Sequence, residues 1–311
     1  VAKVSVLLCS AESLKQIRPD TGICHLRVPQ AGSLVDFLLN SDLAPLDIVP
    51  TRSLVGEWLH YGSVYVEGRR MREDCALQAG QIIRLHTRRK TYVTETPMLI
   101  ERIAADHADF LVLDKPSGLP THATLDNYIE NAAYLLSQEL GIALYVTHRL
   151  DVATEGLLIL AKSPKAQAAI NKQFAKRQVE KIYRAVTLKP VEARLHTHYM
   201  DPQSRVPKVI SATPVAGWWE CRLEVQSCTE FEDDWHIQLQ LLTGKTHQIR
   251  AQLAYLGAPI KGDHVYGSKS VDTHRQIALE CFELKFRWLQ RAFYIRRKSH
   301  DRIWQIVMND V

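Results

Sequence analysis

Inside an otherwise apolar stretch of this 311-residue chain, between the runs 143–146 and 157–160, stands its densest polar cluster. The cluster reads His148-Arg149-Leu150-Asp151 and continues to Thr154 and Glu155. Polar groups near a core must be hydrogen-bonded or solvated. Loops mounted on rigid strands are favoured places for catalytic groups. By these local criteria Asp151 is either a catalytic carboxylate or, as is commoner for a turn aspartate, an ordinary cap.

A second cluster, Thr243-Gly244-Lys245-Thr246-His247-Gln248-Ile249-Arg250, leads into an apolar-periodic segment that Gly257 and Pro259 stop. Thr246 is placed to cap a helix, and Ile249, Leu253 and Leu256 fall on one face of it. Arg250, beside Ile249, can reach into a pocket or remain a surface arginine. His196 and His198 lack the further Cys, Asp or Glu spacing that would complete a metal site, so no metal is expected. Trp218 and Trp219 can stack on a base, although packing is the simpler expectation.

The elements that must position these clusters differ along the chain. Helical patterns begin near Ser33 and Ser53, the second ending at Gly62, and a strand pair follows at Val64-Tyr65-Val66 and Ile82-Ile83-Arg84-Leu85. This compact unit is rich in cations: Arg52, Arg69, Arg70, Arg72, Arg84, Arg88, Arg89 and Lys90, interleaved with Trp58, Tyr61 and Tyr65. Such a mixture suits phosphates and stacked bases, and it also keeps a surface wet. From residue 98 onward, buried strands are expected at 110–113 and 157–160, a Ser163-capped helix at 164–176, and half-wet strands at 236–241 and 279–286. The expected division is an extension at 1–32, an α/β unit at 33–90, a linker at 91–97 and a large domain at 98–311. The large domain is expected to be α+β, a mixed, largely antiparallel sheet with flanking helices.

Composition adds bounds. The 39 Lys and Arg against 34 Asp and Glu, a formal charge of +5, are compatible with a polyanionic partner. Six dispersed cysteines without a CxxC pair read as reduced thiols. No apolar stretch is long enough to cross a bilayer and the first ten residues lack the pattern of a secretion signal. A soluble, cytoplasmic protein without a membrane partner is therefore expected.

Two resemblances sharpen the reading. Arg52-Ser53-Leu54, Gly62-Ser63-Val64-Tyr65-Val66-Glu67-Gly68 and Gly80-Gln81-Ile82-Ile83 resemble the alpha-L RNA-binding module over roughly residues 33–88. In order along the chain, Asp114-Lys115-Pro116-Ser117-Gly118, His148-Arg149-Leu150-Asp151 with Thr154 and Gly156, Lys181-Ile182-Tyr183-Arg184-Ala185, and Thr243 to Arg250 resemble the motifs of the large-ribosomal-subunit type of pseudouridine synthase. This second resemblance covers roughly residues 98–290.

The resemblance implies that Asp151 is the catalytic aspartate and Arg250 its basic partner, since a nearby positive charge favours the carboxylate form. It implies that Tyr183 stacks on the target uracil and helps to remove its ring proton. Arg149 would fill the space left by the flipped nucleotide, and Ile249 would be an apolar contact in the base pocket. His148, Thr154, His247 and Lys115 join them in the substrate-binding set. Arg52, Arg69, Arg70, Arg88, Arg89 and Lys90 are the expected RNA contacts. The implied activity is isomerisation of uridine in RNA, which needs no cofactor or metal, with ribosomal RNA favoured over transfer RNA; Asp151 either attacks the ribose or deprotonates it, and a monomer is expected.

This sequence departs from the family pattern at three places. Glu155 stands where serine is usual, Lys245 replaces the commoner arginine, and 191–214 is hard to align. A second inward-pointing carboxylate would repel Asp151. Two other readings follow from these residues: a noncatalytic RNA-binding or ribosome-assembly factor, and a hydrolytic glycosidase using Asp151 and Glu155.

Overall fold

Short polar side chains open the first helices, where they satisfy otherwise orphaned amide groups. Ser33 Oγ accepts from Asp36 N at 3.2 Å at the start of the helix Leu34–Leu39. Thr51 Oγ1 accepts from Leu54 N at 3.2 Å at the start of the helix Arg52–His60. The computed structural model describes residues 7–10, 13–18, 20–92, 98–268 and 277–298. Its chain divides into two units, Val1–Tyr92 with His122–Tyr134, and Val93–Thr121 with Leu135–Val311.

The first unit is built on a six-stranded antiparallel sheet, in the order Leu7–Ser10, Ser13–Arg18, Ile23–Arg27, Ile82–His86, Val64–Val66, Arg69–Met71. Leu34, Leu38, Val55 and Trp58 from the two helices pack with Val64, Ile83 and Leu85 of the sheet in one core. Two expectations change here. The segment 1–32 is more than an appendage, because the strand Ile23–Arg27 pairs directly with Ile82–His86. The boundary is not a single crossing at 91–97, of which 93–97 lies outside the described residues, because His122–Tyr134 returns to this unit.

The returning segment is held by residues that sequence spacing would assign to RNA. Arg70 Nη2 donates to Thr124 O at 2.5 Å, and Arg89 Nη1 bonds Glu130 Oε1 at 3.1 Å. Arginines and tyrosines alternate across the contact: Arg84 lies 4.2 Å from the Tyr65 ring centre, Arg70 lies 4.9 Å from Tyr65 and 5.4 Å from Tyr128, and Arg72 lies 4.6 Å from Tyr128. Each cation faces the electron-rich side of a ring. Arg70 and Arg89 are thus engaged within the unit, whereas Arg52, Arg69, Arg88 and Lys90 have exposed side chains. Tyr65 Oη donates to Leu125 O at 2.9 Å. Tyr65→Phe should therefore cost about 1 kcal/mol, read as a lower urea midpoint of this unit, and no change would show the bond to be replaceable by water.

The second unit carries an eleven-stranded sheet. Its path runs Ile210–Ser211, Leu195–Met200, Trp219–Phe231, Asp234–Leu241, Glu180–Thr187, Leu279–Trp288, Glu155–Ala161, Phe110–Lys115, Ile103–Asp106. Tyr145–Val146 pairs beside Glu155–Ala161, and Arg291–Arg296 beside Leu279–Trp288. Among the described residues the pairing is antiparallel except between Glu155–Ala161 and Leu279–Trp288, which are parallel. The fold is α+β with a mixed, largely antiparallel sheet. Phe110–Lys115 is buried along its whole length and Glu155–Ala161 from Gly156 onward, which explains why these strands read as continuous apolar runs. The helix Pro164–Ala175 starts as its residues require, with Ser163 Oγ accepting from Ala166 N and proline in the first turn.

Candidate active site

Asp151 leaves its loop at the entrance to the parallel strand pair. The loop is strapped from below: Thr121 Oγ1 donates to Leu150 O at 2.9 Å and accepts from Leu150 N at 3.1 Å. Ser117 Oγ donates to Ala153 O at 2.7 Å, and Gly118 N to Val152 O at 2.8 Å. Gly156, at φ 106°, lets the next turn of chain touch its neighbour, since a Cβ there would lie 2.3 Å from Cys281 O. A loop so tied presents its carboxylate from a fixed base.

Lys115 belongs to this scaffold. Its ammonium donates to Pro116 O at 2.7 Å and Leu119 O at 2.8 Å, and burial pushes it down to about 7. No part of it is exposed, so it supports the loop from within. His148 is turned away in the same manner: its Nε2 accepts from Ile159 N at 3.0 Å, its ring lies 4.6 Å from that of Phe174, and burial lowers it to about 3. It is a neutral support. Thr154 is buried, whereas Arg149 is exposed.

The partner cluster starts the helix Gln248–Tyr255. Thr246 does not cap it. Gln248 Oε1 accepts from Thr243 Oγ1 at 2.9 Å and from Lys245 N at 3.1 Å, closing the turn with a side chain inside the helix. His247 takes the cap position at φ 58° without a side-chain cap bond. Arg250 is a buried arginine with 6% of its side chain exposed, so the surface reading fails. Ile249 is buried beside it.

These two elements bring Asp151, Arg250 and His247 together. Arg250 Nη1 lies 3.6 Å and His247 Nε2 3.8 Å from Asp151 Oδ2. Asp263 takes the other edge of the guanidinium, with Nε at 2.7 Å and Nη2 at 2.9 Å from its two oxygens. Arg250 Nη1 also donates to His247 Nε2 at 3.0 Å. Because an arginine only donates, Nε2 must accept, which puts the imidazole proton on Nδ1, facing Tyr266 Oη at 3.2 Å. Burial lowers the His247 pKa, against the pull of Asp151, which is consistent with a neutral ring.

Tyr183 projects from the strand Glu180–Thr187 opposite Cys281 and is buried. Burial, reinforced by the hydrogen-bonded Cys281 and by the Asp151 charge, raises its phenol well above the usual value. Such a phenol stays neutral.

Residues 109–255 match the family model described as RNA pseudouridylate synthase. The ribosomal large subunit pseudouridine synthase D of Pseudomonas aeruginosa is 30% identical over 233 residues, covering 70% of this chain and 70% of that protein. The chain belongs to the RNA pseudouridylate synthase family. RNA pseudouridine synthase 6, chloroplastic, of Oryza sativa subsp. japonica is 33% identical over 218 residues, 61% of this chain and 45% of the plant protein. The chain thus spans less than half the length of that plant relative. The fold is shared with human RNA pseudouridylate synthase domain containing 4, at a TM-score of 0.56 and 21% identity over 68% of this chain and 93% of the human one.

In this pseudouridylate synthase domain the unusual Glu155 is accounted for by a residue that sequence reasoning passed over. Arg297 grips Glu155 at 2.9 and 3.0 Å, reaches Asp114 Oδ1 at 2.8 Å and also pairs with Glu280. Glu155 therefore has a cation partner, which it shares with Asp114 and Glu280. Glu155→Ser should change stability by about 1 kcal/mol or less, given the partial exposure of the carboxylate, and activity by no more than about threefold. A larger gain in rate would mean that Glu155 restrains Asp151.

Asp263 and Tyr266 were missed as well. The available signal was a polar run, 261–266, directly behind the apolar Ala258 and Ile260, but nothing local says that its aspartate turns inward. The unaligned segment 191–214 also reaches this neighbourhood, since Lys208 N donates to Tyr266 Oη at 3.0 Å. His196 and His198 are hydrogen-bonded to Glu192 O and the Gln252 side chain. Trp219 is 40% exposed under the Lys245 ammonium, 4.5 Å from the ring centre, rather than packed away. No helix among the described residues is long and apolar enough to cross a membrane.

Proposed function

We propose that this family member isomerises uridine to pseudouridine in RNA, with Asp151 as the catalytic carboxylate. The observation that carries the reading is the placement of Asp151, partly exposed, against the buried Arg250 and the half-buried His247. Arg250 is anchored by Asp263, so its charge stands ready without reorganising, the condition under which electrostatic catalysis is strong. The base, once flipped, lies against the face of Tyr183, with Ile249 as an apolar wall and Arg149 in the gap left in the RNA. Asp151 then attacks C1′ or removes a ribose proton to release the base, and the same pocket returns the ring through C5.

Ribosomal RNA is the substrate class we favour, because relatives with this domain are named as ribosomal large subunit synthases. The exposed Arg52, Arg69, Arg88 and Lys90 of the first unit are its proposed phosphate contacts. We take the working form to be a cytoplasmic monomer. The noncatalytic alternative drew on Glu155, and the pairing of that carboxylate with Arg297 removes its main motive. Mapping pseudouridines in cells with and without the protein tests the function: sites that vanish with it name the substrate, and an unchanged map rejects the activity.

A further inference from the structure

Lys181 stands at the meeting point of three motif-bearing elements and has no role in the scheme above. It lies on the same strand face as Tyr183, two residues away, so both side chains rise toward one side of the sheet. Its ammonium lies 3.4 Å from where a Cβ on Gly244 would stand, at the start of the loop that carries His247. On its other sides are the Phe174 ring, 5.8 Å away, the Cys281 thiol, and the imidazole of His148, whose protonation its charge opposes.

This cation is unusual in having no counter-charge. Among the described residues its ammonium makes neither a hydrogen bond nor an ion pair, although the residue is half-buried. Neighbouring Lys115, by comparison, is tied to backbone carbonyls. Burial lowers the Lys181 pKa, the mark of a charge that has lost part of its water without receiving a partner. Such a group is costly in the free protein and strengthens when an acceptor arrives.

We propose that Lys181 binds the carbonyl oxygens of the target uracil and stabilises the negative charge that the ring carries while detached; this rests on the activity proposed above. When the C1′–N1 bond breaks, its electron pair leaves with the ring, and the charge is shared among N1, O2 and O4. The ribose is left electron-poor at C1′, and either forms an ester with Asp151 or loses a ribose proton to it. As the C1′–C5 bond forms, the ring donates an electron pair, and the bond from C1′ to the Asp151 carboxylate breaks or Asp151 returns the ribose proton; C5 then loses its proton and N1 gains one, so that the whole is an isomerisation. A cation beside the stacking tyrosine meets the charge where it develops, whereas a backbone phosphate is better met by the exposed arginines at the surface.

The test compares the full chain with Lys181→Met and Lys181→Arg, using total RNA from cells lacking the protein. Single-turnover pseudouridine formation at saturating protein is read alongside filter binding at several salt concentrations. The expectation is a rate loss of about 10²–10³-fold in the methionine variant, unchanged affinity and salt slope, and at least about tenfold recovery in the arginine variant. Weakened binding with a salt slope reduced by about one and an unchanged saturating rate would make Lys181 a phosphate contact and overturn the proposal. So would variants that match the wild type in both measurements. If circular dichroism shows the methionine variant to be misfolded, Lys181→Gln carries the same expectations. A wild-type protein that binds RNA but forms no pseudouridine would reject the underlying activity itself, a result distinct from a silent Lys181.

Discussion

Asp151→Asn should abolish pseudouridine formation, lowering the single-turnover rate by about 10⁴-fold while leaving RNA affinity within about threefold of wild type. The amide keeps the volume and removes the charge, so it can neither form the ribose ester nor take a ribose proton. The fold should survive. Arg250 retains its two bonds to Asp263, at 2.7 and 2.9 Å, and the strapping of the loop uses backbone atoms of its neighbours rather than the Asp151 carboxylate. A second readout separates this loss from misfolding: Asp151 opposes the burial that lowers the His247 pKa, so the asparagine variant should show a still lower value in a histidine NMR titration. Equal modification by variant and wild type would remove Asp151 from the mechanism.

Much of this site was legible because the signals were local or carried by ordered motifs. Apolar runs at 110–113 and 157–160 mark strands buried on both faces, and Ser163-Pro164 announces a helix whatever lies around it. Asp151 and Arg250 were reached through family motifs, since a turn aspartate and a helix arginine are common individually. Residues whose meaning depends on distant partners were not legible. The segment 122–134 mixes polar and apolar residues, and its place is revealed by partners far along the chain, among them Ser63, Tyr65, Arg70 and Arg89. Arg297 looks like one of many arginines until three carboxylates converge on it. His247 displaced Thr246 as the cap because a glutamine side chain closed the turn, a competition that residue preferences alone do not rank.

Asp263 makes the largest demand on stability. Its side chain is 1% exposed and that of Arg250 6%, so the pair has almost no water to fall back on. Replacing a buried pair with apolar groups can cost little, whereas removing one partner leaves a stranded charge and typically costs about 3–5 kcal/mol. Asp263→Ala should fall in that range in urea unfolding. Activity should fall with it, because Nε and Nη2 lose their anchor and the guanidinium is free to close the 3.6 Å gap to Asp151, pairing with the carboxylate that must react. Asp263→Asn keeps one acceptor and should lie between the two. The double substitution Asp263→Ala with Arg250→Met removes the stranded charge, and should recover part of the stability without restoring the rate. That divergence separates Asp263 as an anchor from Asp263 as mere filling. If Asp263→Ala unfolds within about 1 kcal/mol of wild type, the buried pair is not what holds Arg250 in place.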